Sequence, residues 1–176
     1  MMVNQFRLFC DYNKLMNQRI FEAASNLSIS ELNEDKKAFF KSVLGTLNHI
    51  LVGDIIWLKR FSSSLPNNQV LAYIASLSSP KSLDSFMFSD FSILKSEREK
   101  IDSIICSWIY ELSEDDLNKI ITYKNMAGKE FKKPYFSLIN HLFFHQVHHR
   151  GQASVLLSQF GLDFGDTDLI EIIQDN

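Results

Sequence analysis

The chain has 176 residues, of which 45% are hydrophobic and 22% charged, and its formal net charge is −3. This length and balance are typical of a soluble globular protein, and we expect one domain over residues 1–176. The small negative charge and scattered basic residues argue against direct nucleic-acid binding, and the absence of a leader pattern or a membrane-length apolar run predicts a cytoplasmic protein without membrane contact.

The first part of the chain predicts two long helices joined by a short polar segment. Apolar residues at spacings of three and four predict an amphipathic helix over about residues 3–25. Ser28 lies three residues before Glu31, which predicts a capping box for a short helical turn. A second helix is predicted from residue 38 or 39 to about residue 61, and its two apolar faces are typical of a buried central helix.

The segment 62–90 predicts a long crossover connection along the bundle. Serines recur through it, and Pro66 and Pro80 interrupt any long helix. The apolar residues at 70–77 predict at most a short helix.

The remaining sequence predicts two further long helices and a small hairpin. A third helix is predicted from residue 91, and the β-branched and aromatic residues with a turn signature at 120–132 predict a small β-hairpin. The last long helix is predicted to begin at Pro134 and to end at Gly161. Together these elements predict an all-α fold, a four-helix bundle with a long crossover connection, in which metal sites are built from side chains on facing helices.

Four of the five histidines lie close together in the last predicted helix, at His141, His145, His148 and His149. Residues four apart share a helix face, so His141 with His145, or His145 with His149, has the spacing of a two-histidine metal clamp. His141 and His149 are about 12 Å apart along the axis, too far for bonds of about 2.0–2.1 Å to one ion. His148 is rotated from the clamp by about 60°, which favours a supporting or interhelical role. Gln146 follows His145, so the glutamate base of the H-E-x-x-H motif is missing.

His49 lies outside this cluster, in the second predicted helix. It has two interpretations: a buried histidine bonded to a carbonyl or a carboxylate, or a third ligand that faces the clamp. Spacing favours neither. Asp54 is rotated from His49 by about 140° around the helix, which predicts a buried or interhelical polar residue and not a catalytic base.

Five further polar or small residues carry individual predictions. Arg150 is expected to pair with a carboxylate, and Gly151 to allow a close helix approach, since glycine in a helix costs about 1 kcal/mol relative to alanine. Gln152 is expected to bond a ligand imidazole, a bound water or a core group. Cys10 and Cys106 are far apart in sequence and form no C-x-x-C motif, which predicts reduced core thiols.

Several segments of the chain form recognisable motifs: D-Y-N-K-L-M-N-Q-R-I, N-H-I-L, D-I-I-W-L, H-Q-V-H-H-R-G-Q and G-L-D-F-G-D-T-D-L-I. Together they resemble the DinB family of damage-inducible, metal-binding four-helix proteins. The resemblance spans nearly the whole chain except residues 62–90. It implies a divalent metal, usually nickel or zinc, held by His49, His145 and His149. Phe144 departs from the family pattern, since relatives often carry asparagine before the first clamp histidine.

The resemblance also implies a function. Three neutral imidazoles leave an open metal position, where a thiolate or an ionised water can bind. The wider superfamily includes thiol-dependent transferases and isomerases, so we expect a metal-dependent enzyme that acts on a small molecule, with a low-molecular-weight thiol as a partner; a hydrolase fits the same geometry. The alternative is a non-catalytic, metal-stabilised bundle in a stress or DNA-damage response. In both cases the resemblance implies a homodimer.

Overall fold

The computed structural model describes residues 2–65 and 69–174, and most of these residues are helical. In chain order, the elements are α1 (Met2–Ala24), α2 (Ile29–Asn33), α3 (Val43–Ser64), α4 (Ala72–Ser76), α5 (Phe91–Glu111), α6 (Glu114–Leu117), β1 (Ile120–Lys124), β2 (Glu130–Pro134) and α7 (Tyr135–Ser158). Helices α1, α3, α5 and α7 are the four long ones. The predicted all-α bundle with a small hairpin is therefore confirmed.

The four long helices enclose the hydrophobic core. Helix α1 packs against α5 and α7, and α3 packs against α7. Helix α3 is buried on most sides, as its two apolar faces predicted. The packing of α3 on α7 is the feature that matters for the histidines, because it places the helix of His49 beside the helix of the other four.

The outward face of α5 carries charged residues. On α5, Leu94, Ile101 and Ile105 are buried while Glu99 and Lys100 are exposed. This is the one-sided pattern of a bundle helix. Within residues 2–65 and 69–174, no helix combines the length and the apolar character needed to traverse a lipid bilayer.

The predicted hairpin lies directly before α7. Strands β1 and β2 pair antiparallel, with Ile121 opposite Lys133. Gly128 has φ +81° in the connecting turn, a left-handed conformation that glycine adopts without strain. Pro134 ends β2 and immediately precedes the first turn of α7, so the hairpin leads straight into the helix that carries the histidine cluster.

The connection between α3 and α5 has little regular structure of its own. It contains a 3-10 turn at Gln69–Leu71 and the short helix α4, which confirms the prediction of at most a short helix there. The predicted helix break at Pro66 lies outside the described residues. The capping box of Ser28 and Glu31 is also confirmed, at the start of α2.

Candidate metal centre

Three histidines meet between α3 and α7. Each of His49, His145 and His149 offers a ring nitrogen, and these atoms lie within 4.8 Å of one another. The ring centroids are 5.1 Å apart for His49 and His145, 4.3 Å for His49 and His149, and 4.4 Å for His145 and His149. His49 Nε2 lies 3.1 Å from His149 Nε2. Two nitrogens bound to one tetrahedral ion at about 2.0–2.1 Å are separated by about 3.3 Å, so this spacing suits a shared metal.

Oxygen acceptors determine which nitrogens of two of these rings carry protons. His49 Nδ1 lies 2.7 Å from the carbonyl oxygen of Leu83, and His149 Nδ1 lies 2.9 Å from Oε1 of Gln152. Because an oxygen of either kind accepts, each Nδ1 is the protonated donor and each Nε2 keeps its lone pair in the neutral ring. Two lone pairs then face each other at 3.1 Å. That arrangement is repulsive until a cation lies between them.

The third ring, that of His145, lies against α3 at Gly53. A Cβ atom at Gly53 would lie 2.9 Å from His145 Nδ1 and would collide with Cε1, so the absence of a side chain at residue 53 makes room for the ring. His145 Nδ1 is buried without a hydrogen-bond partner among the residues that the structure describes. An unpaired buried polar atom is destabilising.

The surroundings of the three rings favour their neutral form. Burial is the largest cause in each case, and with the nearby rings of His149 and His49 it lowers the pKa of His145 to about 3. Burial also lowers the pKa of His49 and of His149, against the opposing effect of the hydrogen bonds to Leu83 and Gln152. Neutral imidazole is the form that binds metal, so the site does not have to be deprotonated at pH 7.

An aromatic side chain covers one side of the cluster. The ring of Phe40 stacks on His49 with centroids 3.8 Å apart and an interplanar angle of 16°, and it meets His149 edge-on at 5.5 Å. Phe40 lies in the turn before α3, where Lys37 and Lys41 have positive φ angles of 61° and 66°. Gly45 permits this turn, because a Cβ there would collide with the Phe40 carbonyl oxygen.

The crossover connection contributes a backbone group to the site. Asn48, next to His49, donates to the Phe88 carbonyl at 3.0 Å and accepts from the Phe88 amide at 3.1 Å. These two hydrogen bonds to the main chain anchor the connection near the point where the Leu83 carbonyl accepts from His49. The roles of Leu83, Phe40 and Gly53 were not predicted from the sequence. Asn48 could have been recognised from the sequence, because it belongs to the N-H-I-L motif. The contact of Leu83 is made by its backbone carbonyl, which every residue type has, so the sequence contains no signal for it.

The other two clustered histidines lie outside the group. The His141 ring packs edge-on against Trp57 at 5.0 Å, and its centroid is 5.9 Å from that of His145. His148 is exposed, and its Nε2 lies 3.2 Å from the amide nitrogen of Gln152. Of the two pairs that spacing allowed, the structure joins His145 with His149 to His49. The expected contact of Gln152 with a clamp imidazole is confirmed.

A second buried polar cluster, the ionic network, lies near the histidines. Arg98 forms ion pairs with Asp54 and, at 2.8 Å, with Asp102. Gln146 donates to Asp54 at 2.9 Å, and Asn17 donates to Asp102 at the same distance. Burial, opposed by the Arg98 charge, raises the pKa of Asp54 to about 6. Asp54 is thus the buried interhelical residue that was predicted.

Two predictions for α7 were wrong. Arg150 donates to amide oxygens of Asn13, Asn17 and Gln146, and not to a carboxylate. The physical reason is that the nearby carboxylates are already paired with another arginine. Gly151 does not allow a close helix approach, because no atom lies within 4 Å of the position that its Cβ would occupy.

Comparisons with known proteins agree with this architecture. The family model of the DinB family matches residues 1–174. Protein DinB of Bacillus subtilis (strain 168) is 23% identical over 163 residues, which cover 93% of this chain and 90% of that protein. The crystal structure of a DinB-like protein from Bacillus cereus ATCC 10987 superposes with a TM-score of 0.58 and 18% identity, and covers 90% of this chain and 94% of that one. At that identity the structural likeness shows the fold.

Proposed function

The chain belongs to the DinB family, and on that premise we propose that it is a divalent-metal-binding protein that holds nickel or zinc through His49, His145 and His149. The observation that carries the proposal is the pair of Nε2 lone pairs that face each other at 3.1 Å between rings of fixed tautomer. A cation between them turns a repulsive contact into two ligand bonds. The ring of His145, with its buried unpaired nitrogen, supplies the third.

We propose further that the metal serves chemistry on a low-molecular-weight thiol, as in a metal-dependent transferase with a small-molecule substrate. The group has three members among the described residues, which leaves a coordination position for an external ligand. Asp54 is paired with Arg98, so it is not a free base for a hydrolytic water. A thiol needs less help, because a metal ion lowers its pKa enough for it to bind as thiolate. This favours thiol transfer over hydrolysis.

One observation supports a second candidate, a metal-stabilised bundle without catalysis. Phe40 stacks on His49 and closes one side of the cluster to solvent. In that case the ion contributes to stability alone and binds no external ligand. The two candidates differ in whether a small thiol reaches the bound metal.

Metal analysis of purified, untagged protein tests the site itself. We expect about one equivalent of nickel or zinc to be lost from both a His49→Ala and a His145→Ala variant, because each removes a ligand. His141→Ala is the matched control, since His141 lies on the same helix but outside the group. Full retention of metal by both ligand variants would refute the proposal.

Optical titration with a small thiol separates the two candidates when it uses nickel-loaded protein in a Cys106→Ser background, in which the half-buried free thiol of the chain is removed. Direct coordination of the thiol produces a thiolate-to-nickel charge-transfer absorption, which the His145→Ala variant does not show. A thiol titration that leaves the spectrum of the metal-loaded protein unchanged supports the non-catalytic bundle. A catalytic role then has no support.

We also propose that the protein is a homodimer. Helix α7 carries large apolar side chains that are exposed in the single chain: Phe144 by 62%, Val147 by 44% and Val155 by 59%. Their spacing places them along one side of the helix, and exposed apolar surface of this kind is typical of an interaction site. Light scattering is expected to give the mass of two chains for the native protein and of one chain for Phe144→Asp.

A further inference from the structure

A second group of potential metal ligands lies between α1 and α5, whereas the histidines lie between α3 and α7. Cys10 and Asp11 of α1 and Cys106 of α5 each present a donor atom, and these atoms lie within 4.8 Å of one another. Cys10 is buried, Cys106 is half-buried and Asp11 is exposed. Both thiols are free. Helix packing therefore joins two cysteines that the sequence separates widely.

We propose that Cys10, Asp11 and Cys106 form a second cation site, which takes a thiophilic divalent ion such as Zn²⁺. The site is independent of the histidine cluster and of any function proposed for it. Cys10 Sγ lies 3.7 Å from Asp11 Oδ1. A sulfur ligand at about 2.3 Å and an oxygen ligand at about 2.1 Å on one tetrahedral ion are separated by about 3.6 Å. The donors are thus spaced for a shared ion.

The carboxylate of Asp11 is held in a suitable orientation by a tyrosine. The Tyr110 hydroxyl donates to Asp11 Oδ2 at 2.8 Å, and the other oxygen, Oδ1, faces Cys10. The hydrogen bond to Asp11 raises the pKa of Tyr110 to about 12, so the phenol remains a donor at neutral pH. Hydrogen bonds of this kind to a ligating carboxylate commonly orient it toward a metal.

One divalent ion can be bound by both thiols, because their sulfur atoms lie within 4.8 Å of each other. Two adjacent thiolates repel each other. A divalent ion between them offsets that repulsion, and its binding releases the thiol protons.

The half-buried position of Cys106 gives an ion a path from solvent, and three protein ligands leave a position for water. The Cys10 thiol donates to the Arg7 carbonyl at 3.1 Å within α1. Binding would therefore replace a bond inside one helix with a link between two helices. We expect the cation to stabilise the contact of α1 with α5.

Cobalt titration of untagged, reduced and metal-stripped protein tests the site, because Co²⁺ bound to thiolate absorbs in the near ultraviolet whereas Co²⁺ bound to imidazole alone does not. We expect this charge-transfer band in the wild type and in a His49→Ala/His145→Ala variant, and its disappearance when Zn²⁺ is added. Cys106→Ser should lack the band. Ser103→Ala is the matched control, an exposed change on the same helix that should retain it.

Two exposed substitutions test the geometry without disturbing the core. Asp11→Asn and Tyr110→Phe are each expected to weaken Zn²⁺ binding, by about 10-fold for the tyrosine change. Absence of the band in the wild type, or its persistence in Cys106→Ser, would overturn the proposal. So would a mass lower by two hydrogens in protein purified without reductant, together with no cation uptake after reduction, which would identify the pair as a disulfide. The cobalt titration is also made in the His49→Ala/His145→Ala variant, which lacks the histidine site. Failure of the sulfur site and failure of the histidine site therefore give different results.

Discussion

The ionic network and the histidine cluster are both buried in one bundle, and they differ in how their charges and lone pairs are matched. In the ionic network, Arg98 lies between Asp54 and Asp102, so each charge has an opposite charge beside it. In the histidine cluster, neutral rings direct lone pairs at each other. The ionic network pairs its charges within the chain, although Asp54 Oδ1 and Arg98 Nε have no hydrogen-bond partner among the described residues. The proposed partner of the histidines is an ion from outside the chain. Burial of polar groups therefore does not identify a candidate functional site; lone pairs that face each other without a proton between them do.

The strongest test of this comparison is the removal of Arg98. Arg98→Met removes the ion-pair partner of two buried carboxylates, and we expect the free energy of unfolding to fall by about 3–5 kcal/mol. Urea denaturation measures the change. Lys119→Ala, which breaks the exposed pair with Asp116, should cost at most about 1 kcal/mol. The comparison fails if His145→Ala destabilises the metal-free protein as much as Arg98→Met does.

The next test adds the missing partner of the histidines. At a metal concentration of 100 times the dissociation constant, we expect the free energy of unfolding to rise by about 2.7 kcal/mol. The measurement uses a Cys106→Ser background, so that the proposed sulfur site does not contribute. His49→Ala in that background should show no such rise. An equal rise in both proteins would place the stabilising ion elsewhere.

The fit of the His145 ring against α3 is tested by a pair of glycine substitutions. Gly53→Ala displaces the ring and is expected to lower metal affinity by about 100-fold, measured by competition with a chelator. Gly151→Ala is the control, because no atom lies near the position of its Cβ. It should leave metal affinity unchanged and raise the free energy of unfolding by about 0.5–1 kcal/mol. Equal affinities in the two variants would contradict the role of Gly53.

The smallest effect is expected from the hydrogen bond that orients His149. Gln152→Leu removes the acceptor of the Nδ1 proton, and metal affinity should fall by about 10-fold. Isothermal titration calorimetry measures the loss. His148→Ala removes the other neighbour of Gln152 and should not change affinity. A larger loss of affinity in His148→Ala than in Gln152→Leu would contradict the orienting role of Gln152.

The sequence predicted the elements of the bundle well because their signals are local. The apolar stripe of α5 and the turn at Gly128 each follow from a few neighbouring residues. The histidine cluster in α7 was visible for the same reason. Spacing did not choose between its two pairs or decide the role of His49, because that choice depends on the helix that faces it. The family resemblance grouped His49 with His145 and His149, and the three rings lie together in the structure.

Features that arise from packing were beyond the sequence. Arg150 was assigned a carboxylate partner, but Arg98 from another helix had already paired with the nearby carboxylates. Cys10 and Cys106 were predicted to be ordinary core thiols, and their proximity follows from the contact of α1 with α5. Both cases depend on which residues of different helices contact each other, and the sequence of one helix does not predict such contacts.

The contact between the crossover connection and His49 is made by the main-chain oxygen of Leu83, whose side chain is 54% exposed. Every residue type has this main-chain oxygen, so we expect substitutions at residue 83 to be tolerated if they leave the backbone path unchanged. An insertion or deletion between the Phe88 anchor and Leu83 would instead shift the oxygen away from the ring. The length and backbone path of residues 83–88 are thus constrained more strongly than their residue types. A comparison of residue identities alone would overlook this constraint.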